Sequence, residues 1–345
     1  MTFKVHAKPS GHEFEVAPHE TILQAALREG YGFPYGCRNG SCGTCKGKLL
    51  DGQVDYGACE TRALSDAERA AGFALLCQAK PLTDVTLEVR EISSASGIVV
   101  KILPCRVAKL EQLAHDVVRV YLKLPASERL QFFAGQYLDI LLRDGRRRSF
   151  SIANPPHDDE FIELHIRQIE GGRFTGDMAN FKEKALLRIQ GPLGNFYLRE
   201  DSERPIIFMA GGTGFGPIKG IIEHALSEKI ARPMHLYWGA RARRDLYLDD
   251  LARGWAEQYE NFSYTPVLSQ PQVEDTWQGR RGYAPDAVLQ DYSDLSEYEI
   301  YASGPPAMVQ AGHVSFTTHG LAAENFYADP FEFAQDAMPT PTVAR

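Results

Sequence analysis

Four cysteines near the start of the chain stand at a spacing that suits iron. Cys37, Cys42 and Cys45 lie in Pro34-Tyr35-Gly36-Cys37-Arg38-Asn39-Gly40-Ser41-Cys42-Gly43-Thr44-Cys45, and Cys77 follows in Leu75-Leu76-Cys77-Gln78. C-x4-C-x2-C with a distant fourth cysteine is the plant-type [2Fe–2S] spacing. A cluster held in this way gives or takes a single electron. Gly36, Gly40 and Gly43 flank the ligands, and glycine lets a tight loop turn its backbone N–H groups toward sulfur. A structural zinc site normally brings two C-x2-C pairs, and only one is present. A disulfide pair needs an oxidising compartment, and Met1-Thr2-Phe3-Lys4-Val5-His6 has no apolar export signal. Cys59 and Cys105 lack the spacing and read as free thiols.

A second group of residues suits a flat, phosphate-bearing ligand. In Arg146-Arg147-Arg148-Ser149-Phe150-Ser151-Ile152-Ala153-Asn154, an arginine for a phosphate, an aromatic for stacking and a hydroxyl for a ring nitrogen follow one another along a strand edge. Taken alone, the string also reads as a solvated basic strand end. His165-Ile166-Arg167 ends the next strand, and Gly171-Gly172-Arg173-Phe174-Thr175 lies just beyond. The latter is a glycine turn opening a helix, suited to a pyrophosphate. Gly191-Pro192-Leu193-Gly194-Asn195-Phe196 closes this stretch.

A third group lies in Met209-Ala210-Gly211-Gly212-Thr213-Gly214-Phe215-Gly216-Pro217, between a strand and a helix. Glycines admit a phosphate close to the backbone, the helix N-terminus adds partial positive charge, and Pro217 suits a first helical turn. An ordinary dinucleotide fingerprint would carry an acid about 20 residues later. This chain instead has Trp238-Gly239-Ala240-Arg241-Ala242-Arg243-Arg244 at the next strand end. These arginines suit a 2′-phosphate or simply a solvated basic loop. Ser303-Gly304-Pro305-Pro306-Ala307-Met308 is a second strand-to-helix glycine turn. The aromatics of Asn325-Phe326-Tyr327-Ala328-Asp329-Pro330-Phe331 read as core or interface residues.

The elements that must position these residues fall into three segments. In residues 1–93, Phe3, Val5 and Ala7 alternate ahead of Phe14 and Val16, as in a hairpin. Thr21 caps a helix through Ile22, Leu23, Ala26 and Leu27 that stops at Gly30. Strands are expected near 49–54 and 85–89, and a short helix over 66–71. That is the pattern of a small β-grasp domain, and Ser93-Ser94-Ala95-Ser96-Gly97 reads as a linker. Residues 98–200 carry strands near 117–122, 137–142, 149–152, 161–166 and 186–189, as in an antiparallel barrel. Residues 204–333 alternate strands (206–209, 235–238, 262–268, 299–302) with helices, which predicts a parallel sheet. Residues 334–345 read as a tail. The fold class is therefore multi-domain, α+β and α/β. A length of 345 residues fits two or three domains. The net charge of −8 argues against nucleic acid. No apolar run approaches the roughly 18 residues of a membrane span, and the chain reads as cytoplasmic.

Together these motifs resemble the three-domain reductases of multicomponent systems: a [2Fe–2S] ferredoxin domain, an FAD-binding β-barrel of ferredoxin–NADP⁺-reductase type, and an NAD(P)H-binding α/β domain. The wording is closest to the CDP-6-deoxy-glucoseen reductase-like group. The resemblance implies that Cys37, Cys42, Cys45 and Cys77 hold the cluster. Arg148 would hold an FAD phosphate, with Ser149 beside it. Phe150 stands in place of a usual tyrosine against the isoalloxazine, and Ser151 approaches flavin N5. His165, Ile166 and Arg167 would line the cofactor, and Gly172, Arg173, Phe174 and Thr175 would hold its pyrophosphate. Gly212, Thr213, Gly214, Gly216 and Pro217 would face NADH or NADPH, with Arg241, Gly304 and Pro305 nearby. Ser303 replaces the cysteine of C-G-P-x-x-M.

The implied activity is hydride transfer from NAD(P)H to FAD, then single electrons through the cluster to a terminal oxygenase, hydroxylase or dehydrase. Ser151 and Ser303 are the side chains nearest that hydride, and no acid–base pair or nucleophile is nominated. NADH is the expected donor and a monomer the expected state. A reading of another class, a redox-sensing iron–sulfur protein, conflicts with intact flavin and nicotinamide motifs. Steady turnover with an artificial acceptor separates the two.

Overall fold

The computed structural model describes residues 2–61, 63–89, 91, 98–168 and 182–331 of the chain. Met1–Ile98 forms one compact unit and Val99–Arg345 another. In the first, β1 (Phe3–Lys8) and β2 (Glu13–Val16) precede α1 (Ile22–Arg28). Then come β3 (Lys46–Asp51), β4 (Val54–Asp55), α2 (Asp66–Ala70), β5 (Phe73–Leu75), β6 (Lys80–Pro81) and β7 (Val85–Glu88). The main sheet has the order β2-β1-β7-β3-β5, with β1 and β7 parallel and the remaining pairs antiparallel. This mixed sheet with one principal helix is the expected β-grasp. Val5, Ala7, Phe14 and Val16 are buried while their neighbours along each strand are more exposed, as a one-faced sheet requires. α1 starts where the sequence says it should. Thr21 Oγ1 accepts from Gln24 N (3.2 Å) and the Gln24 side chain accepts from Thr21 N (2.9 Å), a complete capping box.

The second unit begins with an antiparallel sheet of β8 (Lys101–Ala114), β9 (Val117–Lys123), β10 (Tyr137–Leu141), β11 (Arg147–Ser151), β12 (Ile162–Arg167) and β13 (Leu186–Leu193). Its order is β11-β10-β13-β8-β9-β12. An Ile152–Leu164 bridge joins the two outermost strands and closes the sheet into a barrel around Val120, Leu122, Ile140 and Leu164. The 14-residue strand β8 was not expected from the sequence. Pro104 and a polar second half (Lys109, Glu111, Gln112) mask its pattern. The proline is tolerated because β9 registers with β8 only from Arg106 onward, leaving Pro104 a neighbour on one side alone.

The same unit continues with β14 (Ile206–Gly211), α3 (Phe215–Ser227), β15 (Met234–Ala240), α4 (Asp249–Gln258), β16 (Phe262–Leu268), β17 (Arg280–Arg281), α5 (Ala284–Asp291), β18 (Glu299–Gly304), α6 (Pro306–Thr318) and β19 (Phe326–Pro330). All six strands are parallel, in the order β17-β16-β15-β14-β18-β19. Every residue of β14 is buried, as expected where helices cover both faces of a sheet. One core gathers around Phe215, Trp238 and Trp255, and a second around Tyr237, Val288 and Phe316. The aromatic segment near 325–331 contributes β19, an edge strand beside β18. No helix among the described residues is long and apolar enough to cross a membrane.

Candidate functional site

The cysteine loop runs between α1 and β3, and Cys77 follows β5 directly. Leu76 N donates to Cys45 O (3.0 Å), which ties the remote cysteine to the loop. Gly40 (φ +83°) must be glycine: a Cβ would lie 2.4 Å from the Ala58 carbonyl oxygen. The thiols gather as two pairs. Cys37 N donates to Cys42 Sγ (3.4 Å). Hydrogen bonding between the two side chains pulls the Cys37 thiol down to about 5 and pushes Cys42 up. Cys45 and Cys77 split in the same way, Cys77 down and Cys45 up. Among the described residues, the one group of three or more such ligand atoms within 4.8 Å of one another lies elsewhere, so no three of these thiols meet at a point. Two thiol pairs suit two irons with two protein ligands each, and not one tetrahedral zinc. The donor set therefore fits a [2Fe–2S] cluster. Cys59 Sγ donates to Tyr56 O (3.1 Å), and its pKa is raised by burial. Burial on the inner face of β8 pushes Cys105 to about 12.

In the barrel, β11 and β12 are the outermost strands of the sheet and meet at the closing bridge. This brings the Arg148–Ser151 string and the His165–Arg167 string to one seam. Arg148 is buried, with Nη1 donating to Arg147 O (2.9 Å). Ser149 Oγ donates to the buried Asp139 (2.7 Å), and half-buried Phe150 packs on the barrel core. Ser151 Oγ donates to Asp329 Oδ2 (2.8 Å) on β19, from the parallel-sheet part of the unit. Ile166 is buried in the barrel core. Arg167 Nε pairs with Asp116 (3.1 Å), and its guanidinium lies against Gly212, where a Cβ would come within 3.0 Å of it. Gly172, Arg173, Phe174 and Thr175 lie outside the described residues.

β14 and β18 lie at the switch point of the parallel sheet, where chain order reverses and α/β folds open a crevice beyond the strand ends. The two glycine turns meet there back to back. A Cβ on Gly214 would sit 2.1 Å from Ser303 O, and one on Gly304 (φ +137°) 2.7 Å from Gly211 O. The glycines thus let the two turns pack backbone to backbone, which sets the start of α3 and of α6 side by side at the switch point, where helix N-termini suit a phosphate. Trp238 anchors the first turn: its Nε1 donates to Gly212 O (3.0 Å) and its ring stacks on Phe215 at 3.9 Å. Gly216 and Pro217 are buried in the first turn of α3, Thr213 lies in the turn before it, and Pro305 caps α6. Arg241, Arg243 and Arg244 are exposed just past β15.

Two features were not foreseen. Ser303 is fully buried, and its Oγ donates to the Asp329 carbonyl (3.2 Å). Asp329 thus joins both serines expected near the hydride, one through its carboxylate and one through its backbone. A lone acid within an aromatic segment was its only signal in the sequence. The second feature concerns His165. Its ring is buried, with Nδ1 at 3.0 Å from Tyr247 Oη and Nε2 at 2.7 Å from Glu163. Lys219 of α3 joins this network through Glu163 (3.4 Å) and Glu223 (2.8 Å). Burial alone would raise Glu163, but His165, Lys219 and Arg119 outweigh it and hold the carboxyl at about 2. Burial lowers His165 despite its carboxylate partner. The imidazole therefore joins the barrel strand to Tyr247 ahead of α4, and Glu163 carries the link on to Lys219 of α3.

Comparison with known families agrees with this geometry. Residues 5–82 match the 2Fe-2S iron-sulfur cluster binding domain, 104–197 the oxidoreductase FAD-binding domain, and 208–313 the oxidoreductase NAD-binding domain. The chain is 40% identical over 332 residues to the CDP-6-deoxy-L-threo-D-glycero-4-hexulose-3-dehydrase reductase of Yersinia pestis, covering 96% of this chain and 99% of the relative. It is 35% identical over 335 residues to reductase component 1 of terephthalate 1,2-dioxygenase from Comamonas sp, covering 96% and 98%. The crystal structure of the Amycolatopsis cytochrome P450 reductase GcoB superposes with a TM-score of 0.78 at 34% identity, covering 96% of this chain and 99% of that one.

Proposed function

Because the chain belongs to the three-domain reductases that join 2Fe-2S, FAD-binding and NAD-binding domains in one polypeptide, we propose that it draws electrons from NADH and delivers them singly to a dehydrase acting on a nucleotide-linked deoxysugar. It is an NAD(P)H-dependent oxidoreductase that passes electrons to a partner protein. The bound groups supply the redox chemistry: the flavin takes a hydride and gives up electrons one at a time, and the cluster passes them on. The observation that carries the reading is the division of four thiols into two pairs, which fits a one-electron iron–sulfur centre.

The protein's part is to hold and orient. Cys37, Cys42, Cys45 and Cys77 would hold the cluster, with Cys37 beside Cys42 and Cys45 beside Cys77. Arg148 neutralises a flavin phosphate, and Ser149 and Phe150 flank it along the edge of β11. Ser151 would turn its hydroxyl oxygen, as an acceptor, toward the flavin ring while Asp329 takes its hydrogen. Ile166 and Arg167 border the same seam beside the backbone of His165, and Gly172, Arg173, Phe174 and Thr175 would hold the flavin pyrophosphate. Gly212, Thr213, Gly214, Gly216 and Pro217 hold the nucleotide at the switch point, with Gly304 and Pro305 on its other side. Ser303 takes the position of the family cysteine, its hydroxyl turned to the Asp329 backbone. Arg241 faces the nucleotide's adenosine end. The working segments are 1–93, 98–200 and 204–333, with 334–345 as a tail. The order of the three domain matches supports this division.

The 40% identity to a dehydrase reductase over nearly the whole chain favours a dehydrase partner over an oxygenase. The test is an anaerobic titration of the purified protein with NADH, then with NADPH, followed by visible absorbance. Flavin and cluster bands should bleach together and consume about three electrons per chain, two for the flavin and one for the cluster. A protein that neither nucleotide reduces is not a reductase. Replacing Arg241, Arg243 and Arg244 by alanine should leave the KM for NADH near its starting value. A large rise in KM confined to NADPH would reassign the donor. Reconstitution with a purified sugar 3-dehydrase and, separately, a ring-hydroxylating oxygenase then decides the partner.

A further inference from the structure

One polar cluster of the second unit takes no part in the electron path. His157, His224 and Glu228 offer ligand atoms that all lie within 4.8 Å of one another. They come from two elements. His157 sits in the turn after β11, while His224 lies in the last turn of α3 and Glu228 caps that helix one turn further on. Positions i and i+4 share a helix face, so the histidine and the glutamate point the same way.

Both supports are rigid. The turn bearing His157 is pinned by the buried Asn154. Its Nδ2 donates to Asp158 O (2.6 Å) and Phe161 O (3.0 Å), and its Oδ1 accepts from Glu163 N (2.8 Å). α3 approaches that turn closely at Gly220, where a Cβ would lie 3.1 Å from Asn154 O.

Three independent features point to a cation. The His224 ring holds Glu200 through Nε2 (2.9 Å), while its Nδ1 is buried without a hydrogen-bond partner among the described residues. A buried polar atom of this kind requires an explanation. A carboxylate on one ring nitrogen is the usual support of a metal-ligating histidine, since it fixes the tautomer and leaves the other nitrogen's lone pair free. Finally, the cluster stands at the C-terminus of a 13-residue helix, the end whose partial negative charge favours cations.

We propose that His157, His224 and Glu228 form a binding site for a borderline divalent transition ion, zinc above all, with Glu200 supporting His224. Two imidazoles and one carboxylate are a standard zinc set, leaving the fourth position to water. Bonds of about 2.0–2.2 Å put tetrahedral ligand atoms roughly 3.4 Å apart, so the side chains close by no more than about 1.4 Å on the ion. The ion fastens the turn after β11 to the end of α3. It thereby braces the barrel against the parallel-sheet half of the unit and stabilises it by mass action.

The test uses the full chain with flavin and cluster in place and no affinity tag, so that Cys37, Cys42, Cys45 and Cys77 are already occupied. Zinc is added, the protein dialysed, and bound metal counted. One zinc per chain beyond the iron is expected, with a rise in melting temperature and a zinc absorption edge showing nitrogen and oxygen ligands only. His157→Ala and Glu228→Gln, both at exposed positions, should each abolish retention. Glu200→Gln should weaken it by about 10–100-fold. Unchanged flavin and cluster spectra certify that the variants are folded. No retained zinc, zinc with sulfur ligands, or zinc retained equally by His157→Ala and Glu228→Gln overturns the proposal.

Discussion

Asp329 joins Ser151 and Ser303, which come from opposite ends of the second unit's sequence. Its carboxylate accepts from the Ser151 hydroxyl at 2.8 Å and its carbonyl from the Ser303 hydroxyl at 3.2 Å. A hydrogen bond to a charged group is worth about 1.5–3 kcal/mol, enough to fix where the Ser151 hydroxyl points. Asp329→Ala should therefore slow flavin reduction by NADH by about ten- to a hundredfold in a stopped-flow measurement. Cluster absorbance and thermal stability should change little. A variant that is reduced at the unmodified rate would confine Asp329 to a packing role. Ser303→Cys should be tolerated, because the thiol is close in size to the hydroxyl and the carbonyl partner is backbone.

At the scale of elements, the two glycine turns decide whether the parallel sheet can place its strand ends together. Gly214 has no room for a methyl group, since the Ser303 carbonyl would lie 2.1 Å from it. Overpacking a close-packed site costs about 1–3 kcal/mol or more. Gly214→Ala should thus lower the melting temperature and weaken nucleotide binding together. Gly254, exposed in α4 with nothing within 4 Å of a Cβ, is the matched control. Gly254→Ala should raise stability by about 0.5–1 kcal/mol through helix propensity. If both variants melt alike, the back-to-back turns are not what holds the sheet in this arrangement.

At the scale of the whole second unit, the junction between barrel and parallel sheet rests on buried charge. Glu163 is held at about 2 against an ordinary 4.5. A depressed carboxyl stabilises the fold fully above its unfolded value, and that stability is lost as the pH falls from about 4.5 toward 2. The His165 pKa is also depressed below its ordinary 6.5, so the neutral ring is favoured in the fold and stability falls as the pH drops below that value. Glu223 acts in the opposite sense, because burial raises its pKa. The His165 contribution is lost below about pH 6.5 and the Glu163 contribution below about 4.5, so thermal melts of the second unit should decline with acid through both ranges, with Glu223 opposing the decline. Glu163→Gln with Lys219→Met should flatten the part of that decline below about pH 4.5, while the His165 part, without the carboxylate that raises it, remains. A pH profile of Tm that is the same in both proteins would remove this junction as the cause.

The sequence by itself determined the electron centre, the class of fold and the order of its parts. Cysteine spacing, glycine turns and the change of hydrophobic period from alternating to helical are local properties, set by the geometry of a few neighbouring residues. α1 and its Thr21 cap were legible for this reason, as were the hairpin of β1 and β2 and the run of β14; the reciprocal bond to Gln24 came only with the structure. Strand β8 was not, because Pro104 and a polar half hide a strand whose tolerance for proline depends on the reach of its neighbour. Tertiary structure alone decided that the four thiols form two pairs and that His165 turns inward to Tyr247 and Glu163. It alone decided that Asp329 reaches Ser151, and that His157 meets the end of α3. Each of these joins residues far apart in sequence, and their distances are fixed by how the sheets close and pack, which no local spacing encodes.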